Sequence, residues 1–476
     1  MFTKVASHVL IAILAFATTA QANQKHAKTQ DLLIKLAPGF VEFELQGAKV
    51  EKLTESWVRV QAPMSMNLNS LEKNSAVEYV QPNYKLGLIE DNKIQDPLRR
   101  AALGKMLARN PQLRDLAKPD NPEIPDAPQS TTGLDPLFNK QWGMLDIGVS
   151  DAWKVSRGNS DMIVAVIDTG VDYTHEDLLP NLWRNPNEIP NNGIDDDNNG
   201  YIDDVVGWDF VSNDNKPYDL AADPLDLLFK GGNPGHGTHC AGNVAARGDN
   251  GKGVSGVAPN VKIMSLRFIS EKGQGTTADA IKAIRYAVDN GAKITSNSWG
   301  SIGEEAGAPE NQALRDAIQY SQDKGVIFVA AAGNGIKGVG YDNDSSATPS
   351  FPASYDHDII ISVAALDIKN ELGSFSNWGA KTVDIGAPGV QVFSTVVGGD
   401  YTDVVIDKFG FKAYWDGTSM ATPHVAGAAA LYWSAYPNKT WQDVKAAIIG
   451  SAKKTNSMMN KSTSNGRLDV NALMKY

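Results

Sequence analysis

From Leu134 onward two apolar patterns alternate along the chain. Short runs are apolar at almost every position: "MIVAVID" (162–168), "VKIMSLRFI" (261–269), "KITSNSW" (293–299), "GVIFVAAAGN" (325–334), "IIISVAAL" (359–366) and "TVDIGAPG" (382–389). Such runs predict strands buried on both faces, which is the habit of a parallel sheet covered by helices. Between them, "GTHCAGNVAA" (237–246), "TADAIKAIRYAVDNG" (277–291), "NQALRDAIQYSQDKG" (311–325) and "SMATPHVAGAAALYWSAYP" (419–437) predict helices. The expected fold is α/β, a doubly wound and mostly parallel sheet, whose sites form beyond the carboxyl ends of the strands.

The chain ahead of this region divides into three. Residues 1–22 have a basic start at Lys4, an apolar run from Val9 to Ala17 and the triplet Ala20-Gln21-Ala22, the layout of a cleaved secretory signal. That run is too short to span a bilayer, and no later segment is long enough either, so no membrane anchor is expected. Residues 23–90 alternate strand-like and helix-like pieces ("DLLIKLA", "VEFELQGAKVEKL", "ESWVRVQA", "MNLNSLEKN", "AVEYVQPNYKL"), a small α+β unit. Residues 91–133 are polar and rich in proline, with dibasic Arg99-Arg100, and read as an extended linker with a short helix at "DPLRRAALGKMLARN".

Charge sharpens the division. Residues 1–130 carry 16 Lys/Arg against 14 Asp/Glu, and the remainder 28 against 41. An acidic main body speaks against nucleic acid as a partner and for bound cations. With Cys240 the only cysteine, no internal disulfide can form even after export.

Several polar residues stand where such a sheet gathers chemistry. Asp168 ends "MIVAVID". His236 opens "GHGTHCAG" between two glycines. Ser419 lies at the start of the long apolar helix, and Asn334 ends "GVIFVAAAGN". Each has an ordinary reading as a cap or structural group. His236, His239 and Cys240 also allow a zinc reading, although the Glu of a zinc hydrolase motif and a third ligand are missing. Together the four supply acyl-transfer chemistry. The His takes the Ser proton, the Asp fixes the His tautomer, and the Asn amide with the Ser419 N–H can hold an oxyanion.

"VIDTGVDYTHEDL", "GHGTHCAG", "AAAGN" and "GTSMATPHVAG", in this order, resemble the signature stretches of the subtilisin-like serine proteases, and HGTHC resembles their proteinase K-like branch. The resemblance implies a triad of Asp168, His236 and Ser419, with Asn334 as oxyanion donor, and makes His239 and His424 structural. Cys240 is expected to be a buried, inert thiol. Gly273 and Gly275, with Ser298, Trp299 and Gly300, would be the edges that sandwich an extended peptide. Ala332 and Gly333, with "SFPASY", would frame the pocket for the residue before the cut, and Phe351-Pro352 is a candidate cis bond. Thr277 stands where many relatives carry an aromatic, which speaks against a strong apolar preference four residues before the cut. Residues 23–90 resemble the family's ferredoxin-like propeptide, an inhibitor and folding aid, with processing between Leu86 and Leu134.

Calcium is the expected cofactor. In the acidic insert "NNGIDDDNNGYIDD", Asp195, Asp197 and Asn199 alternate before Gly200, as in the first half of an EF-hand loop, with Tyr201 and Asp204 completing the candidate set. Position 12 is Val206 rather than Glu. A second site follows from the resemblance: the side chains of Asp135, Asp177 and Asn250, and the carbonyls of Arg247, Lys252 and Val254. The sequence therefore predicts a secreted, monomeric, calcium-stabilised endopeptidase acting on peptides and proteins, with the periplasm as the alternative location. The rival reading is a subtilase-like chain that is inactive or dedicated to one partner protein.

Overall fold

The computed structural model describes residues 29–66, 71, 73–89, 122–125, 135–302, 311–408 and 411–476. The signal-like segment, the linker apart from residues 122–125, its expected helix, and most of "MNLNSLEKN" lie outside them. The chain forms two compact units, residues 1–84 with 311–313, and the rest.

The small unit is a four-stranded antiparallel sheet of β1 (Thr29–Leu36), β2 (Lys49–Lys52), β3 (Trp57–Pro63) and β4 (Val77–Pro82), in the order β2-β3-β1-β4. Side chains alternate across the sheet. Leu32, Ile34 and Leu36 of β1 therefore meet Val58, Val60 and Ala62 of β3 in one core, while Arg59 pairs with Asp31 at 2.6 Å on the other face. The piece at 41–53 forms no helix: only Lys49–Lys52 takes regular form, as a strand, after a turn in which Gly47 has φ 83°. The run "AVEYVQPNYKL" also divides. Pro82 has no N–H for a ladder, β4 ends there, and a separate strand β5 (Lys85–Gly87) belongs to the large unit.

The large unit is built on a nine-stranded sheet. From one edge it runs Lys453–Lys454, Gly466–Arg467, β14 (Ile385–Pro388), β13 (Ile360–Leu366), β12 (Ile327–Ala331), β10 (Ile294–Asn297), β6 (Ile163–Asp168), β8 (Lys262–Arg267) and β7 (Gly207–Asp209). All neighbours are parallel except the edge pair. Every residue of β12 and β13 is buried, as their unbroken apolar runs require. Strand order turns outward in both directions from the β6/β10 junction, so this is the switch point where a crevice opens.

Four helices matter for that crevice: α1 (His236–Ala245), α2 (Thr277–Asp289), α3 (Gln312–Asp323) and α4 (Thr418–Ala435). α2 buries Ile281 and Ile284 and is capped by Thr276. α4 is buried from Thr418 to Trp433 and packs on β10, β12, β13 and α1. Its small residues permit this. A Cβ on Gly427 would stand 3.0 Å from the Val244 carbonyl and 2.8 Å from Val257.

Candidate active site

Asp168 leaves β6 at the switch point, wholly buried, and its Oδ1 lies 2.7 Å from His236 Nδ1. The same oxygen accepts the Thr169 N–H at 2.8 Å. His236 opens α1, and its cap residue, Gly235, sits in the left-handed region and offers no side chain. The first N–H groups of the helix are answered from elsewhere. Asn233 Oδ1 accepts from Gly235 and His236, both at 2.9 Å, Thr169 Oγ1 accepts from Gly237 at 2.8 Å, and Asp219 Oδ2 accepts from Thr238 at 2.8 Å. Asp219 ties these caps together, since Thr169 Oγ1 and Asn233 Nδ2 donate to its other oxygen at 2.8 and 2.7 Å. Sequence reasoning did not find Asp219. It is one of several acidic residues in "YDLAADPLDLL", with no spacing that singles it out.

Ser419 is the second residue of α4. Its Oγ donates to the Ser298 carbonyl at 3.1 Å, and Ser298 Oγ donates back to the Ser419 carbonyl at 2.9 Å. The nucleophile candidate is therefore latched to the end of β10. Asn334, just past β12, accepts from the Thr418 N–H at 2.9 Å and the Thr418 hydroxyl at 2.8 Å through Oδ1. With its oxygen committed to the start of α4, the amide NH2 is the end that can donate elsewhere.

The neighbouring groups are structural. His239 lies 2.9 Å from the Val392 carbonyl through Nε2 and stacks on Trp415 at 4.2 Å, and burial pushes it down to about 3. His424 Nδ1 donates to the Met420 carbonyl at 2.8 Å, and burial lowers it to about 4. Both are neutral at physiological pH. Cys240 is buried, its thiol raised by desolvation, with Sγ 3.6 Å from the Ser419 carbonyl.

The expected substrate edges lie together, and a segment of the chain lies between them. β9 (Gln274–Thr276) and β11 (Gly300–Ser301) flank β5, each antiparallel to it, and Leu88 N–H donates to the Gly273 carbonyl at 3.1 Å. Gly275 is tight, since a Cβ there would stand 2.3 Å from the Phe268 carbonyl. The Trp299 ring points into the core, edge-on to Phe268 at 4.9 Å and Phe328 at 6.2 Å. Ala332 extends the β12 ladder by bonding to the Val363 carbonyl at 3.0 Å. Gly333, at φ 107°, leaves no room for a Cβ beside Ser350, and Phe351-Pro352 is cis.

Two acidic clusters form. Asp177 accepts from Asn250 Nδ2 at 2.7 Å and from Val254 N–H at 2.8 Å, and its N-terminal neighbour in the cluster, Asp135, accepts from Asn250 N–H at 3.2 Å. The Arg247 N–H bonds the Asp177 carbonyl at 2.8 Å, and Lys252 N–H bonds Asn250 Oδ1 at 2.9 Å. Burial raises both carboxyls, and repulsion from Asp249 and Asp177 raises Asp135 further. In the insert, ligand-type oxygens of Glu188, Asp197 and Asp204 lie within 4.8 Å of one another. Asn199 Nδ2 bridges Asp197 and Asp204 at 3.2 and 2.9 Å, and Asn185 Nδ2 does so at 3.0 and 2.9 Å. Asp195 instead accepts the Asn199 and Gly200 N–H groups at 3.0 and 2.8 Å and shapes the turn. The Tyr201 ring packs edge-on against Trp208 and Tyr286, both at 5.0 Å. Glu188 and Asn185 lie outside the loop motif, so spacing alone could not reveal them.

The fold is α/β with a mostly parallel sheet, and Asp168 and His236 meet at its switch point. Residues 159–467 match the subtilase family. The chain is 38% identical over 314 residues to the thermophilic serine proteinase of Bacillus sp. (strain AK1), covering 66% of this chain and 62% of that protein. It is 35% identical over 324 residues to thermitase of Thermoactinomyces vulgaris, covering 68% and 92%. Against fervidolysin of Fervidobacterium pennivorans it is 31% identical over 431 residues, covering 87% of this chain and 52% of that one. The chain belongs to the subtilase family and is a serine-type endopeptidase by class.

Proposed function

We propose that the chain is a secreted, self-processing endopeptidase that cuts peptide bonds through an acyl-enzyme on Ser419. The observation that carries this reading is the 2.7 Å contact between the buried Asp168 carboxylate and His236 Nδ1. It leaves Nε2 as the basic nitrogen of the ring. The Ser419 hydroxyl turns from the Ser298 carbonyl to His236, which takes its proton as Oγ attacks the substrate carbonyl. Active-site hydrogen bonds commonly tighten in this way only when substrate binds. The Asn334 amide and the Ser419 N–H hold the oxyanion, at the positive end of α4. His236⁺ then protonates the leaving amine, and water releases the acyl group.

The wider reading has separate supports. The 1–22 sequence pattern supports export, and residues 23–90 act as the inhibitory propeptide. Calcium suits both acidic clusters, because burial raises the carboxyls of Asp135, Asp177 and Asp204, the last to about 6, and a cation relieves that cost. Asp135, Asp177, Asn250 and the carbonyls of Arg247, Lys252 and Val254 would hold one ion, and Glu188, Asp197, Asn199 and Asp204 a second. Bound calcium supplies structural charge compensation and no chemistry.

The test is Ser419→Ala. It is expected to fold and to lose about 10⁶-fold in kcat, a magnitude measured in the same protease family. Peptidase activity close to the parent's in the purified variant would overturn the assignment.

A further inference from the structure

β5 occupies the groove that the substrate edges form, and its register points to one bond. Leu86 lies opposite Ser301 and Gly87 opposite Gly300. Continuing that antiparallel register brings Leu88 opposite Trp299 and Ile89 opposite Ser298. Ser298 is the residue whose carbonyl holds the Ser419 hydroxyl at 3.1 Å. On the other edge, Leu86 lies opposite Gly275, and Leu88 N–H bonds the Gly273 carbonyl at 3.1 Å. The β11 edge therefore delivers the chain to the nucleophile at Ile89, and the β9 edge holds the same segment in extended pairing.

The side chains agree with the register. A Cβ built on Gly300 would stand 3.2 Å from Ile89 Cγ2, 2.9 Å from the Phe351 carbonyl and 3.7 Å from Ser350 Oγ. Ile89 thus lies against the wall that Gly300, Ser350 and Phe351 form. Leu86 is fully buried and Leu88 is 8% exposed, so the segment enters the groove with its apolar side chains covered. At Gly87 there is no space for a side chain, because a Cβ would come within 2.2 Å of the Gly273 carbonyl.

We propose that the peptide bond on the carboxyl side of Ile89 is the first that the enzyme cuts in its own chain. The sequence Leu86-Gly87-Leu88-Ile89 then defines its substrate class: a branched aliphatic residue before the cut, with leucine second and fourth before it. This rests on the peptidase reading above. Ser419 Oγ bonds to the Ile89 carbonyl carbon, its proton passes to His236, and the carbon–nitrogen bond to Glu90 breaks as His236 protonates the Glu90 amine. Water then hydrolyses the ester, leaving an Ile89 carboxylate and the Ser419 hydroxyl. The leucine at the fourth position differs from the weak preference that Thr277 suggested.

The experiment is refolding of the full precursor from denaturant, with intact-mass analysis and N-terminal sequencing of the earliest products and casein hydrolysis followed in parallel. The expected first products end at Ile89 and begin at Glu90. Ile89→Asp should slow this cut roughly a hundredfold or more, and Ile89→Leu by less than about tenfold. Matured enzyme given a synthetic peptide of residues 84–93 should cut it after the isoleucine, a readout that does not depend on the variants folding. Casein hydrolysis with a first cut elsewhere, for example after Arg100, or a peptide cut at another bond, overturns the register and leaves the peptidase reading standing. Failure of every form to hydrolyse casein overturns the peptidase reading, and this proposal with it.

Discussion

Asp219 takes both hydrogen bonds that Thr238 can donate, from the backbone N–H at 2.8 Å and from the hydroxyl at 2.7 Å, and so pins the helix that His236 begins. All four of its partners are donors. Thr238 Oγ1 is itself occupied by the Asp172 N–H at 2.9 Å, and Thr169 Oγ1 by the Gly237 N–H at 2.8 Å, so both hydroxyl protons face Asp219. An amide at this position would set an NH2 group against two donors, and an unsatisfied buried donor costs about 1–3 kcal/mol. Asp219→Asn is expected to lower kcat about tenfold or more with KM changed less than about threefold, because His236 loses its placement while the substrate edges are untouched. Steady-state kinetics on a peptide substrate check this. An equal loss in kcat and gain in KM would make Asp219 an ordinary stabilising residue.

Asp219 also predicts a pH dependence. Burial is the largest influence on its carboxyl and lifts it from 3.8 to about 6, against the downward pull of its donors. A folded pKa above the unfolded one means that the contribution to stability is complete below about pH 4 and is lost as pH rises through about 6. A shift of about two units corresponds to about 3 kcal/mol. Between pH 4 and 7, Ser419→Ala protein should therefore lose up to that amount relative to the same protein carrying Asp219→Asn. Urea unfolding at a series of pH values measures the difference, and a gap that does not vary with pH counts against the assignment.

What the sequence could reveal depended on how local each signal was. β6, β12 and β13 were legible because burial on both faces leaves no polar position to confuse the pattern. The positions of Asp168, His236, Asn334 and Ser419 at or beside element ends were legible because short apolar or small-residue stretches mark those ends. Asp219 was not, because it reaches His236 through Asn233 and Thr169, across an insert that contains a short helix (Pro224–Lys230). Glu188 was hidden for a similar reason, since it joins Asp197 and Asp204 only when the chain folds back. The break between β4 and β5 was missed because "VEYVQPNYKLG" keeps a strand-like composition through the point where pairing partners change.

Asn334 is held by Thr418 through its carbonyl oxygen, so removing the side chain removes a donor and also frees the start of α4. Losing one oxyanion donor costs about 10²–10³-fold in kcat, a magnitude measured in the same protease family. Asn334→Ala should show at least that loss. Asn334→Asp tests the polarity: it retains an acceptor for Thr418 but cannot donate when ionised, so it should be no better than alanine. Recovery of activity in Asn334→Asp would show that the Thr418 contact, and not oxyanion donation, is the residue's role.

Calcium should hold the folded chain together at two separable places. Asp177 and Asp135 are raised by burial near each other, and Asp204 is raised to about 6 with Asp197 adding to the repulsion. Oxygen clusters of this kind are costly when empty, and an ion binding only the native state adds about 4 kcal/mol at a thousandfold excess over its Kd. In Ser419→Ala protein, where self-digestion cannot interfere, chelator should lower the Tm. Asp177→Ala and Asp197→Ala should each remove part of that calcium dependence, and the double change should remove the sum, as expected for sites without shared partners. Glu188→Ala separates the structural cluster from the loop motif: it should cost as much calcium dependence as Asp197→Ala, whereas Asp195→Ala, which only loosens the turn, should cost less. A Tm that is the same in excess calcium and excess chelator would reduce both clusters to solvated acidic loops, and equal effects of Asp195→Ala and Glu188→Ala would restore the plain EF-hand reading of the insert.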